Sequence, residues 1–193
     1  IGIRPFCIQL GETDILGDST LFLEHSEVLI ILIPPRMRRQ RAENFWAKIK
    51  TLIPCVAQAR IQKVLFVSST SVYNNSTLIA TEKTPLAPDT ESGIQLLAAE
   101  RVLQENPNFK TTVLRFGGLV GKDRNPVRYL SQLNEIENPN APINLIHQED
   151  CIGIIEKIIA LNSWNEIFNA VAPFHPSRKE YYTQKATDLN LAL

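Results

Sequence analysis

Apolar residues fall into two rhythms along this chain. Val28 to Ile33 and Lys63 to Ser68 are unbroken, β-branched runs of the kind found in strands buried on both faces. Thr111 to Phe116 and Phe6 to Leu10 complete the predicted strands. Elsewhere the spacing changes to three and four: Phe45, Ile49, Leu52, Ile53 and Val56 mark a helix that Pro54 should kink or interrupt. Glu91 to Gln104 and Glu149 to Leu161 predict further helices, the latter with Ile152, Ile155 and Ile159 as a core stripe. Ser177-x-x-Glu180 has the form of a capping box and predicts a last helix running toward Leu189. Strands separated by helices pair in parallel through right-handed crossovers, so the pattern predicts a doubly wound α/β sheet.

Composition narrows the function classes. The 193 residues are 44% hydrophobic and 21% charged, enough for one compact domain with a core. Lys and Arg together number 20, as do Asp and Glu, so no overall field draws the chain to nucleic acid or to an anionic membrane. Cys7, Cys55 and Cys151 lie far apart without metal-ligand spacing, which argues against a disulfide framework and a zinc site and for a reducing, cytoplasmic setting. The apolar run closed by Pro34 and Pro35 is too short to span a bilayer.

Candidate chemistry concentrates in "VLFVSSTSVY", Val64 to Tyr73. A strand made for burial ends there in four consecutive hydroxyls. Ligands in open α/β sheets bind beyond the carboxyl ends of the strands, so Ser68 to Ser71 face the expected crevice. The plainer alternative is that these hydroxyls cap the next turn and satisfy free backbone groups.

This segment resembles the strand-and-hydroxyl segment of extended short-chain dehydrogenases/reductases, the nucleotide-sugar epimerase and dehydratase group. "LRFGGLVG" (Leu114 to Gly121), "NLIHQEDCIGII" (Asn144 to Ile155) and "IFNAVAP" (Ile167 to Pro173) are similar to later segments of that family, in the same order. The resemblance, to an atypical subgroup, implies a Rossmann-like fold and NAD or NADP as cofactor. It implies a single domain over residues 1–193, with substrate-side elements from about 122 onward. Ser69 falls at the substrate-orienting hydroxyl, with Thr70 as the alternative if the alignment slips by one. Ser68, Ser69, Pro34, Phe116 and Gly117 fall at cofactor-facing positions, and Thr70, Tyr73, His147, His175 and Arg178 at substrate-facing ones. A dinucleotide, a small-molecule ligand and a possible homodimer are the implied partners.

Two departures follow. In the family a Tyr acts as acid or base and a Lys four residues later lowers its pKa, as an unassisted phenol requires. Counted back from Glu100, which matches the family's helix glutamate, those positions hold Ser92 and Leu96. The pyrophosphate-cradling G-x-G-x-x-G is also absent, since Gly117, Gly118 and Gly121 lack its spacing. By order, the strands match the third to sixth of a Rossmann sheet, and without the first two the third and fourth would stand roughly 14 Å apart. An N-terminally truncated sequence is therefore expected. Two functions stay open: a dinucleotide-binding protein with altered or lost redox chemistry, or an active oxidoreductase or epimerase in which His147, His175 or a C-terminal tyrosine replaces the phenol.

Other features divide between ligand and scaffold. Arg36, Arg38, Arg39 and Arg41 suit a phosphate or acidic substrate, or a solvated helix start. His147 near Asp150 reads as a pair, or as a strand-end histidine before a capping acid. Tyr181 and Tyr182 join His175 and Arg178 near the implied substrate pocket, or belong to an ordinary cap. Arg115, at a strand end, anchors a loop or a ligand.

Overall fold

The computed structural model describes residues 2–35, 44–76, 79–127 and 136–191. The arginines at 36, 38, 39 and 41 lie outside the described residues. The chain divides into two compact units, Ile1–Arg115 with Leu161–Asn169, and Phe116–Ala160 with Ala170–Leu193.

The first unit opens with two short antiparallel strands, β1 (Gln9–Leu10) and β2 (Ile15–Leu16), and a helix, α1 (Ser19–Leu23). Then come β3 (Val28–Ile31), α2 (Phe45–Gln58), β4 (Lys63–Ser69), a 3-10 turn (Thr70–Val72), α3 (Glu91–Gln104) and β5 (Lys110–Phe116). Of the expected strand Phe6 to Leu10, only Gln9–Leu10 is extended, and it pairs with Ile15–Leu16 rather than joining the main sheet. That sheet has the order β3-β4-β5-β8, with β8 at Ile167–Ala170. β3 and β4 run parallel, with Val28 opposite Lys63 and Ile31 opposite Phe66. β3 is shorter than expected because Leu32 and Ile33 leave the ladder before two prolines that cannot donate to it, and are 59% and 42% exposed.

The strand and helix periods meet in one core. Leu29 and Ile31 of β3, Val64 and Phe66 of β4, and Phe45, Ile49, Leu52 and Val56 of α2 pack together, with the Phe45 and Phe66 rings stacked at 6.4 Å. Each fully buried aliphatic chain is worth about 1.5–3 kcal/mol relative to exposure. α2 begins where the Asn44 side chain accepts the Ala47 amide at 3.1 Å. It runs through Pro54 without the interruption that is one of the two expected outcomes. Pro54 and Lys50, whose carbonyl loses a partner, are both exposed, so water can meet the missing bond.

The second unit holds a parallel pair, β6 (Gly118–Val120) and β7 (Leu145–His147), with α4 (Gln148–Ala160) and α5 (Arg178–Asp188). The stripe expected on α4 is displaced by one residue. Cys151 and Ile158 are buried, whereas Ile152 and Ile159 are 51% and 41% exposed. One residue is about 100° of helix rotation, enough to turn the neighbouring row toward solvent. α5 has the expected capping box: Ser177 Oγ accepts the Glu180 amide at 3.2 Å, and Glu180 Oε2 accepts the Ser177 amide at 2.9 Å. No helix among the described residues is long and apolar enough to cross a membrane.

Candidate functional site

β4 is fully buried through Val64, Leu65 and Phe66 and half-buried at Lys63, Val67 and Ser69. The first hydroxyl at its carboxyl end is not free. Ser68 is 5% exposed and donates to Glu100 Oε1 at 2.6 Å. Ser69, half-buried, caps the 3-10 turn by accepting the Ser71 amide at 3.2 Å, which leaves its own proton available. Thr70 and Ser71 are half-buried, and Val72 and Tyr73 turn inward. The turn lies directly against α3, because Gly93 offers no Cβ. One built there would stand 2.2 Å from the Ser71 carbonyl oxygen.

Beneath this turn lies a buried polar network. Arg115 of β5 grips Glu100 of α3 with two bonds, Nε to Oε1 at 3.1 Å and Nη2 to Oε2 at 2.6 Å, and both side chains are 1% exposed. Arg115 Nη1 donates to the Tyr73 phenol oxygen at 2.8 Å, and its guanidinium lies 5.2 Å from the Tyr73 ring centroid. Burial alone would lower the guanidinium pKa; the Glu100 hydrogen bonds and charge, with a smaller part from Tyr73, hold it above its ordinary value. Arg115 is thus a loop anchor in this fold. Tyr73 passes its proton bond to Asn169 Oδ1 of β8 at 2.9 Å, and Glu82 Oε1 accepts the Asn169 amide at 2.7 Å. Ser68, Glu100, Arg115, Tyr73, Asn169 and Glu82 form one chain of contacts at the carboxyl ends of the strands.

The other expected residues scatter. Ser92 is half-buried on the first turn of α3, while Leu96, one turn on, is 4% exposed inside the apolar core. Pro34 is exposed beyond β3. Phe116 and Gly117 belong to the second unit, where the Gly117 amide bonds Ala170 O at 3.1 Å and a Cβ would meet Asn144 O at 2.8 Å. His147 turns to Glu149 rather than Asp150, its Nδ1 accepting the Glu149 amide at 3.3 Å. His175 Nδ1 lies 3.0 Å from Ile143 O, and the Arg178 backbone amide bonds Ala141 O at 2.8 Å. Tyr182 packs with Val127 and Ala186, and burial pushes the neighbouring Tyr181 phenol up despite the nearby Lys185 charge. Among the described residues no three of His, Cys, Asp and Glu are placed to hold a metal ion.

Asn169 and Glu82 were not singled out from the sequence. A signal for the first existed: asparagine is depleted in strands, so one between Phe168 and Ala170 needs a reason to be there.

No protein-family model matches the chain. Protein YeeZ of Escherichia coli K12 is 33% identical over 192 residues, which cover 98% of this chain and 69% of YeeZ. The chain belongs to the YeeZ family. This YeeZ-family chain has the Rossmann-like fold of the NAD-dependent epimerases and dehydratases of the short-chain dehydrogenase/reductase superfamily. A structure described as a putative NAD-dependent epimerase/dehydratase from Methylobacillus flagellatus matches with a TM-score of 0.73 at 22% identity, over 92% of this chain and 67% of that one. UDP-glucuronic acid 4-epimerase from Bacillus cereus, in complex with NAD, matches with a TM-score of 0.74 at 16% identity, over 92% and 64%. The YeeZ-family chain thus spans about two thirds of the proteins it resembles.

Proposed function

We propose that the whole protein binds NAD or NADP, and with it a small nucleotide-sugar-like ligand, on an epimerase/dehydratase scaffold whose Tyr-x-x-x-Lys pair is replaced by Ser92 and Leu96, so that its redox chemistry is altered or lost. The observation that carries this reading is Leu96: its side chain is 4% exposed among core residues, where no lysine ammonium could be accommodated without a buried charge. Ser68 and Ser69, with Pro34, Phe116 and Gly117, fall at the positions that the family resemblance gives to the dinucleotide, and Thr70 at a substrate-facing one. Hydroxyls that both donate and accept suit the dinucleotide's ribose and carboxamide groups. When bound, a nicotinamide supplies a hydride acceptor or donor. The chain's own part is to bind and orient. A cytoplasmic setting and a homodimer belong to the same proposal.

The test is to look for co-purified dinucleotide by mass spectrometry and to assay turnover of UDP-glucose and simple carbonyls. Bound dinucleotide with no turnover is the expected outcome. A kcat of about 1 per second or more, the low end for ordinary enzymes, would overturn it. Ser92→Ala should leave any residual rate within a few-fold; a loss of about 100-fold, the worth of a general acid or base, would restore Ser92 to the chemistry.

A second reading, an active enzyme with another proton donor, has one observation in its favour. Besides the candidate donors His147, His175 and the C-terminal tyrosines there is the phenol of Tyr73, which lies on the polar network at the strand ends, with Arg115 Nη1 donating to it at 2.8 Å. Under that reading Tyr73→Phe abolishes turnover.

A further inference from the structure

The donor inventory around Tyr73 fixes the orientation of Asn169. A guanidinium has only N–H donors, so the Tyr73 oxygen must accept from Arg115. The single phenol proton is then free to donate, and it does so to Asn169 Oδ1, 2.9 Å away. The Asn169 carboxamide is held in this orientation, because an amide nitrogen facing the phenol would leave the phenol proton without its acceptor. Its backbone amide is also held, by Glu82 Oε1 at 2.7 Å. The Asn169 Nδ2 group, with two N–H donors, points away from the network, and no acceptor for it stands among the described residues. Asn169 is half-buried at the carboxyl end of β8, so these donors are reachable from outside.

We infer that Asn169 is a ligand-recognition residue: its amide Nδ2, oriented by Arg115 through Tyr73, donates to an acceptor oxygen of the bound molecule, such as a phosphate, carboxylate or carbonyl oxygen. Arg115 and Tyr73 are positioning residues for it. A ligand presenting a donor at that point is refused, because the amide has no acceptor to turn toward it. This deepens the site reading above, resting on the carboxyl ends of these strands being the ligand side.

The test follows the Asn169 side-chain amide and the Ser69 and Thr70 backbone amides by NMR while NADH, UDP-glucose and inorganic phosphate are added in turn. At least one of the three should shift the Asn169 Nδ2 signal. Asn169→Asp, which keeps an acceptor for Tyr73 but replaces the donors by an anionic oxygen, should weaken that compound about tenfold or more with the melting temperature little changed. Tyr73→Phe, which frees the amide to rotate, should weaken it less, by about threefold. Shifts at Ser69 and Thr70 with none at Asn169 would overturn this inference and leave the site reading standing. Shifts at none of them would overturn both, and unchanged affinity in Asn169→Asp would overturn the inference alone.

Discussion

The carboxylate of Glu100 and the guanidinium of Arg115 meet through two hydrogen bonds of 3.1 and 2.6 Å at a place where each side chain is 1% exposed. Each also has a further partner, Ser68 for the carboxylate and Tyr73 for the guanidinium. Removing one partner strands a buried charge, so Arg115→Met or Glu100→Leu alone should cost about 3–5 kcal/mol. The double replacement should cost less than either, since no charge then remains to be desolvated. Urea denaturation of the three variants measures this, and single losses under about 1 kcal/mol would mean that water reaches the pair.

On the proposed reading, the hydroxyl turn divides into scaffold and ligand-facing groups. Ser68→Ala removes a bond to a buried charged group and should lower stability by about 1–3 kcal/mol. Ser69→Ala, or Thr70→Val if the alignment slips by one, should instead reduce ligand affinity by roughly 2- to 13-fold. Ligand titration and thermal melts on the same proteins tell the two effects apart. If Ser69→Ala and Thr70→Val lower only the melting temperature, the cluster is a capping device.

Gly93 opposes helix propensity to close packing. Alanine in the first turns of α3 would gain about 1 kcal/mol over glycine. Its Cβ, however, would stand 2.2 Å from the Ser71 carbonyl oxygen and 2.8 Å from Pro88 Cβ, and the first of these is backbone. Gly93→Ala should therefore destabilise by about 1–3 kcal/mol net and disturb the turn that carries Ser69. A rise in melting temperature would contradict the packing.

Acid should loosen α5. Hydrogen bonds from the Ser177 hydroxyl and backbone amide hold the exposed Glu180 carboxyl below its ordinary pKa. A group whose pKa is depressed on folding contributes stability above its unfolded pKa and loses that contribution as pH falls through the folded value. The helix end is affected in the same sense, because Gln184 and Lys185 hold Asp188 down. Melting temperature should thus fall below the ordinary carboxylate range, and Glu180→Gln should flatten that part of the profile.

Much of the fold was legible because burial writes itself into residue choice. α3 occupies Glu91–Gln104 as its pattern predicts, and the Ser177 capping box is present. Misreadings occur where tertiary partners decide: nothing local in Phe6 to Leu10 says that it lacks a neighbour in the main sheet, and the α4 stripe needs the identity of the packed face to fix its phase. At the site, the sequence marks the hydroxyl cluster at the end of β4 but not the Tyr73 to Asn169 bond, which joins residues 96 positions apart. Donor and acceptor roles there depend on which groups meet, and one-dimensional spacing does not carry that information.

The polar network also bears on the order in which the chain folds. Its links join residues 15, 32, 42, 87 and 96 positions apart, so five loops close before the network is complete. Stripping water from Glu100 and Arg115 before β4, α3 and β5 have come together would leave the charges without compensation, so the network belongs on the native side of the rate-limiting step. Tyr73→Phe should then accelerate unfolding while leaving the refolding rate nearly unchanged, as low-φ positions do. Both limbs of a denaturant chevron report it, and a slowed refolding limb would place the phenol in the nucleus instead.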